Sequence, residues 1–209
     1  MQLASGSTDT GKALKFLNDF IFTDEFGSRP TAPKVVVIMT DGHDRDEEVT
    51  AERKFTIKSI IQGVAAQARE LHRQGVIMFS IGVGEENRLN MDVLKQMATE
   101  PVVDHVKHAL TVEGINTFKN ALAAQICKEA EEKSSCDSAA MDLAIVLDGS
   151  DSVGNSDFGK LKDWTKDFID NLQIDKYGAQ VGVIKYATII REVSPLSSDI
   201  ADLKVFCVK

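Results

Sequence analysis

Three short segments of this 209-residue chain gather side-chain oxygens without sulfur or imidazole: DGSDS at 148–152, TDG at 40–42, and GSTDTG at 6–11. Asp148 and Asp41 supply carboxylates, and Ser150, Ser152 and Thr8 supply hydroxyls. Oxygen-only donor sets suit hard cations such as magnesium, calcium or manganese and serve zinc or copper poorly. Taken singly, each segment is also an ordinary turn, because Asp, Gly and Ser are the residues turns use. The combination matters more than any one of them, and its worth depends on what the flanking elements do with it.

Those elements are legible as an alternation of strands and helices. Lys34–Thr40 and Asp142–Leu147 are continuous apolar, β-branched runs, as expected of strands buried on both faces of a parallel sheet, and each runs straight into one of the acidic segments. Val76–Val83 is a third such run, and Asp104–Leu110 is expected to form a short fourth strand. Helical spacing of apolar residues predicts helices over Thr10–Ile21, Thr56–Gln74, Asn90–Thr99, Val112–Cys127 and Asp157–Leu172. Gln180–Ala187 and Ile189–Val193 are joined by a tight connection and predict an antiparallel pair. The fold class is therefore α/β: a doubly wound, mostly parallel sheet with helices on both faces and one antiparallel edge strand. In such a sheet the binding crevice lies outside the carboxyl ends of the strands, which is where the oxygen-rich segments fall.

The pattern D-G-S-x-S after a buried strand, S-T-x-T-G-x-A-L opening a helix, and V-V-x-x-T-D-G ending another strand resembles the von Willebrand factor A fold, a Rossmann-like family that includes the matrilins and the collagen VI A-domains. The resemblance implies a metal-ion-dependent adhesion site. In it Ser150, Ser152 and Thr8 are hydroxyl ligands, Asp148 and Asp41 bind directly or through water, and Gly149 and Gly42 let the loops turn sharply. The cation would be Mg2+, Mn2+ or Ca2+, with one position left for a carboxylate of a partner. It further implies a secreted, extracellular adhesion module without catalysis, whose partner is a matrix protein such as collagen, engaged through an acidic side chain. Self-association is compatible with the same resemblance.

The order of the motifs departs from the family. D-G-S-x-S normally comes first, whereas here it lies in the last third of the chain. Residues 1–127 resemble the C-terminal two-thirds of such a domain, 128–140 a polar flank, and 141–209 the N-terminal third. Two explanations fit: the end of one repeat followed by the start of the next, or one domain in permuted order. The two parts are expected to complete the same sheet, within a chain or by exchange between chains, since the strand Val35–Thr40 would otherwise present an apolar edge.

Other chemistries are weaker. Gly6-Ser7-Thr8-Asp9-Thr10-Gly11-Lys12 fits the phosphate-loop spacing of a nucleotide hydrolase. However, Ala13 stands where the Ser or Thr that holds magnesium belongs, and Asp9 would face phosphate charge. An aspartyl nucleophile at Asp148 or Asp41 has only His43 nearby in sequence. His105 and His108, on a short strand, would point to opposite faces. Trp164 with Phe158, Leu161, Phe168, Ile169 and Leu172 forms the core face of a helix. The formal charge of −8, without a basic cluster, argues against nucleic acid, and no apolar run is long enough for membrane insertion. Cys127, Cys136 and Cys207 do not make a zinc site, and their pairing stays open.

Overall fold

Lys34–Thr40 is apolar at every position between its polar ends, Val35 to Met39, because it lies in the middle of a sheet covered on both sides. In the computed structural model, which describes residues 8–42, 63–133, 140–172, 174–175 and 177–203, it is strand β1. The other strands are β2 (Ile77–Val83), β3 (Val106–Ala109), β4 (Met141–Asp148), β5 (Ala179–Tyr186) and β6 (Ile190–Ser197). They form one six-stranded sheet in the order β3-β2-β1-β4-β5-β6. All neighbours are parallel except β5 and β6, which are antiparallel. β1 pairs with β4 from Lys34↔Asp142 to Met39↔Leu147.

Alternate residues of β1 serve two cores. Val35, Val37 and Met39 pack with α5 (Lys119–Lys133) and α6 (Asn155–Ile169), where Ile126, Leu161, Trp164 and Phe168 are buried. Val36 and Ile38 pack on the opposite face with α1 (Thr10–Phe16), α2 (described over 63–73) and α3 (Met91–Met97), through Leu14, Leu71 and Leu94. The β1-to-β2 connection thus carries its helix on one face and the β4-to-β5 connection on the other. Right-handed crossovers leading away in opposite directions produce that arrangement and open a crevice between the two strands where they diverge. The crevice lies at the carboxyl ends of β1 and β4.

The structure refines several sequence expectations. After α1 the chain continues as a π-helical turn, Leu17–Ile21, so the expected helix is helical to its end but widened there. Asp104–Leu110 is not all strand: a short helix α4, Val102–His105, precedes β3, and His105 belongs to it. α5 does not stop at Cys127 but runs to Lys133, into the segment read as flank. Ala130 is fully buried there and Lys133 Nζ donates to the Gly75 carbonyl at 2.7 Å, so polar composition masked a packed helix end. β6 extends through Pro195, which an edge strand tolerates. Residues 56–62 of the second expected helix, His43, Cys136 and Cys207 lie outside the described residues. Among the described residues no helix is long and apolar enough to cross a membrane.

Candidate metal centre at the carboxyl ends of β1 and β4

Asp148 is the last residue of β4 and is completely buried. Its Oδ1 accepts the Ser150 backbone N–H at 2.9 Å, and its Oδ2 accepts the Thr40 hydroxyl at 2.7 Å. Thr40 ends β1, and its own hydroxyl oxygen accepts the Gly42 N–H at 3.0 Å, so one threonine fastens the ends of both strands together. Ser150 is also buried and its Oγ lies 2.9 Å from Ser152 Oγ, which is on the exposed side of the loop.

Asp41 is held by its backbone. Its carbonyl accepts the N–H of Asn90, the residue that caps α3, at 3.1 Å, and Gly42 turns away at φ 76. A Cβ on Gly42 would also lie 3.0 Å from the Asn90 carbonyl oxygen. Glycine is required there on both counts. At Gly149 φ is not positive, and the smallness of the residue serves a close approach instead, with a Cβ there only 3.2 Å from the stem of Lys185.

The charge of Asp41 is felt at Asp148. Burial first, and Asp41 second, push the Asp148 carboxyl from its ordinary 3.8 up to about 7, against the pull of the Ser150 and Thr40 hydrogen bonds. Two carboxylates near one another, one of them out of water, are unfavourable without a positive charge. Among the described residues no Lys, Arg or His forms an ion pair with Asp148. Hydroxyls and carboxylates are the donor types a hard divalent cation takes; the described residues bring no cluster of three or more His, Cys, Asp or Glu together, so hydroxyls would have to supply most of the set.

Thr8 is buried at the same end of the sheet. The next residue, Asp9, donates its N–H to the Ala187 carbonyl just past β5 at 2.9 Å, and Thr10 Oγ1 lies 3.2 Å from the Tyr186 hydroxyl. Tyr186 is the β5 partner of Asp148. Asp148, Ser150, Ser152 and Asp41 are thus joined by side-chain hydrogen bonds or by field, whereas Thr8 is tied to the group through backbone. Thr40 is a candidate site residue that the sequence reading does not single out. Its signal was present in T-D-G, but the residue reads as the end of a strand until the β1–β4 register shows it opposite Asp148.

A cleft of about 690 Å³ opens beside these residues, lined by Thr40, Asp41 and Ser152 together with Val83, Leu89 and Val153. Leu110, 68% exposed, stands on its rim. Elsewhere, Asp9 caps α1 by accepting the Lys12 N–H at 3.0 Å and pairs with the Lys12 ammonium at 2.9 Å. A carboxylate therefore occupies the position from which a phosphate loop needs free donors. His105 Nε2 meets Glu129 at 2.8 Å and His108 Nε2 meets the Gly84 carbonyl at 2.7 Å, two separate environments.

Comparison with known proteins bears on the family and the fold. The family model for the von Willebrand factor type A domain matches residues 1–123 and 142–205. The collagen alpha-5(VI) chain of Mus musculus is 30% identical over 199 residues, which cover 93% of this chain and 7% of the collagen. Matrilin-1 of Gallus gallus is 28% identical over 233 residues, covering 92% of this chain and 43% of the matrilin. The chain thus spans less than half the length of either relative. A solved structure of an uncharacterized protein from Alicyclobacillus acidocaldarius superposes with a TM-score of 0.54 at 16% identity, covering 85% of this chain and 86% of that one, a likeness of fold alone.

Proposed function

Because the chain belongs to the von Willebrand factor type A domain family, we propose that it is a divalent-cation-dependent adhesion module of the extracellular matrix, a binding protein rather than an enzyme. The observation that carries this reading is the buried Asp148 carboxylate within the field of Asp41, with a hydroxyl and an amide as its donors among the described residues. In this reading Asp148, Asp41, Ser150, Ser152 and Thr8 hold Mg2+, Mn2+ or Ca2+, directly or through water. When bound, the cation supplies a positive charge that a partner's carboxylate can complete. The residues of the chain do the rest: Thr40 and the Ser150 amide orient Asp148, Asn90 and Gly42 orient Asp41, and the cleft beside Ser152 leaves the site open to a large partner.

The partner class is a matrix protein such as collagen, engaged through an acidic side chain, in the compartment where the similar collagen and matrilin chains are expected to act. The two sequence segments act as one unit, completing each other in permuted order within a chain or by exchange between chains. Co-expressing 1–133 with 138–209 tests that part: mutual gain of solubility and helical signal supports it, and independent behaviour of the two contradicts it. Adhesion to immobilised collagen in Mg2+ or Mn2+, compared with EDTA, tests the function. Cation-dependent retention that is lost when the partner's carboxylates are esterified is the expected result, and retention indifferent to EDTA would remove the reading.

A further inference from the structure

Lys185 is a buried lysine, 3% exposed, that interrupts the apolar run of β5 one residue before its end. It pairs with Leu147 in the β4–β5 register, and the next residue, Tyr186, accepts the Gly149 N–H at 2.8 Å. A Cβ on Gly149 would lie 3.2 Å from both Cγ and Cε of Lys185, so the backbone of the Asp148–Ser152 loop rests directly on the lysine stem. The tip of that stem is fixed. Nζ donates to Glu192 Oε1 on β6 at 3.1 Å and stands 5.4 Å from the ring centroid of Phe158, itself buried on α6.

We propose that Lys185 is a positioning residue of the cation site: its stem supports Gly149, and Glu192 together with Phe158 holds the stem in place. This rests on the metal-site reading above. Stability alone does not call for a lysine here, because a buried ion pair is often replaceable by apolar side chains at little cost. What the lysine supplies is a long, unbranched support whose far end is anchored to two other elements. Through it the edge strand β6 and helix α6 both bear on the loop that carries Ser150 and Ser152. Outer-shell groups that hydrogen-bond metal ligands are typically worth ~10–100-fold in metal affinity, and a packing support of the ligand loop is placed at the lower end of that range.

The test uses the full chain with Lys185→Ala, Lys185→Met and Glu192→Gln, and Ile126→Val on α5 as a control for general loosening of the core. Mn2+ affinity is read by calorimetry, melting is read in EDTA, and hydrogen exchange of the Gly149 amide is read in the absence of metal. Lys185→Ala is expected to weaken Mn2+ binding by about tenfold or more. It should also speed Gly149 exchange by roughly tenfold relative to amides in α5. Lys185→Met, which keeps the stem and loses the anchor, and Glu192→Gln should fall between wild type and Lys185→Ala. Ile126→Val should lower the melting temperature and leave affinity unchanged. Wild-type affinity in Lys185→Ala, or a loss in Ile126→Val as large, overturns the proposal. If the wild-type chain itself takes up no Mn2+, the metal reading fails, and Gly149 exchange alone then decides: an unchanged rate in Lys185→Ala overturns the support role.

Discussion

Strand β4 carries a buried aspartate near its start, Asp142, and another at its end, Asp148, and the two are treated in opposite ways. Asp142, fully buried at the amino end, is surrounded by positive charge and donors: Arg29 Nε at 2.9 Å, Lys34 Nζ at 2.7 Å, the Arg29 N–H at 2.7 Å and Ser28 Oγ at 3.1 Å. Asp148, equally buried at the carboxyl end, has a hydroxyl, an amide and the field of another carboxylate. The first site is complete within the protein. It binds the two sequence segments together, since Arg29 and Lys34 come from one and Asp142 from the other. The second has no ion-pair partner among the described residues where the sheet opens, an imbalance that the proposed cation would relieve. Burial alone therefore distinguishes nothing about function; the charge balance around the buried group does.

The widest separation of the two ends should come from Asp142→Ala. It leaves the Arg29 and Lys34 charges partly buried without their partner, which costs about 3–5 kcal/mol. Denaturant unfolding should show this loss equally in Mg2+ and in EDTA, and a loss confined to one condition would break the comparison.

Asp148→Asn should act with the opposite sign in metal-free protein. Because the folded carboxyl is raised to about 7, its contribution to stability is fully present below the unfolded value near 4 and is lost as pH rises through 7. In EDTA the wild-type chain should therefore lose on the order of 3 kcal/mol relative to Asp148→Asn between pH 4 and pH 8. Parallel unfolding curves for the two proteins across that range would contradict the electrostatic account.

Cation binding to the folded state alone should recover a comparable amount, about 2.7 kcal/mol at a hundredfold excess over Kd. A melting series in Mg2+ and Mn2+ reads it directly, and no shift with either cation would count against the site. Thr40→Val sharpens the same contrast at a smaller scale. It deletes the hydroxyl between Asp148 Oδ2 and the Gly42 N–H, at a cost of about 1–3 kcal/mol. Its effect should grow when Mn2+ is present, because a less well oriented Asp148 binds the cation more weakly and gains less stability from it, whereas that of Asp142→Ala should not change.

Much of this was legible in the sequence, for identifiable reasons. Lys34–Thr40 and Asp142–Leu147 announce themselves because a central parallel strand must be apolar on both faces, and the acidic segments that follow them fall at one end of the sheet by topology alone. Asp142 carried no such signal. As the first residue of an apolar run it reads as a strand boundary, and only the three-dimensional approach of Arg29 and Lys34 reveals its role. Thr40 and Lys185 were unreadable for the same reason, since each acts across a strand pair whose register the sequence does not state. The end of α5 was misplaced because Lys128–Lys133 is charged throughout except for Ala130, the one position that packs.

The most direct test of the cation site is a calorimetric titration of Mn2+ into the wild-type chain and into Asp148→Asn, repeated at pH 6 and pH 8. A single site that tightens as pH rises, because binding must displace the proton from Asp148, and that disappears in Asp148→Asn is the expected result. Mn2+ binding of equal strength in Asp148→Asn, or binding in the wild type that is indifferent to pH, would contradict it.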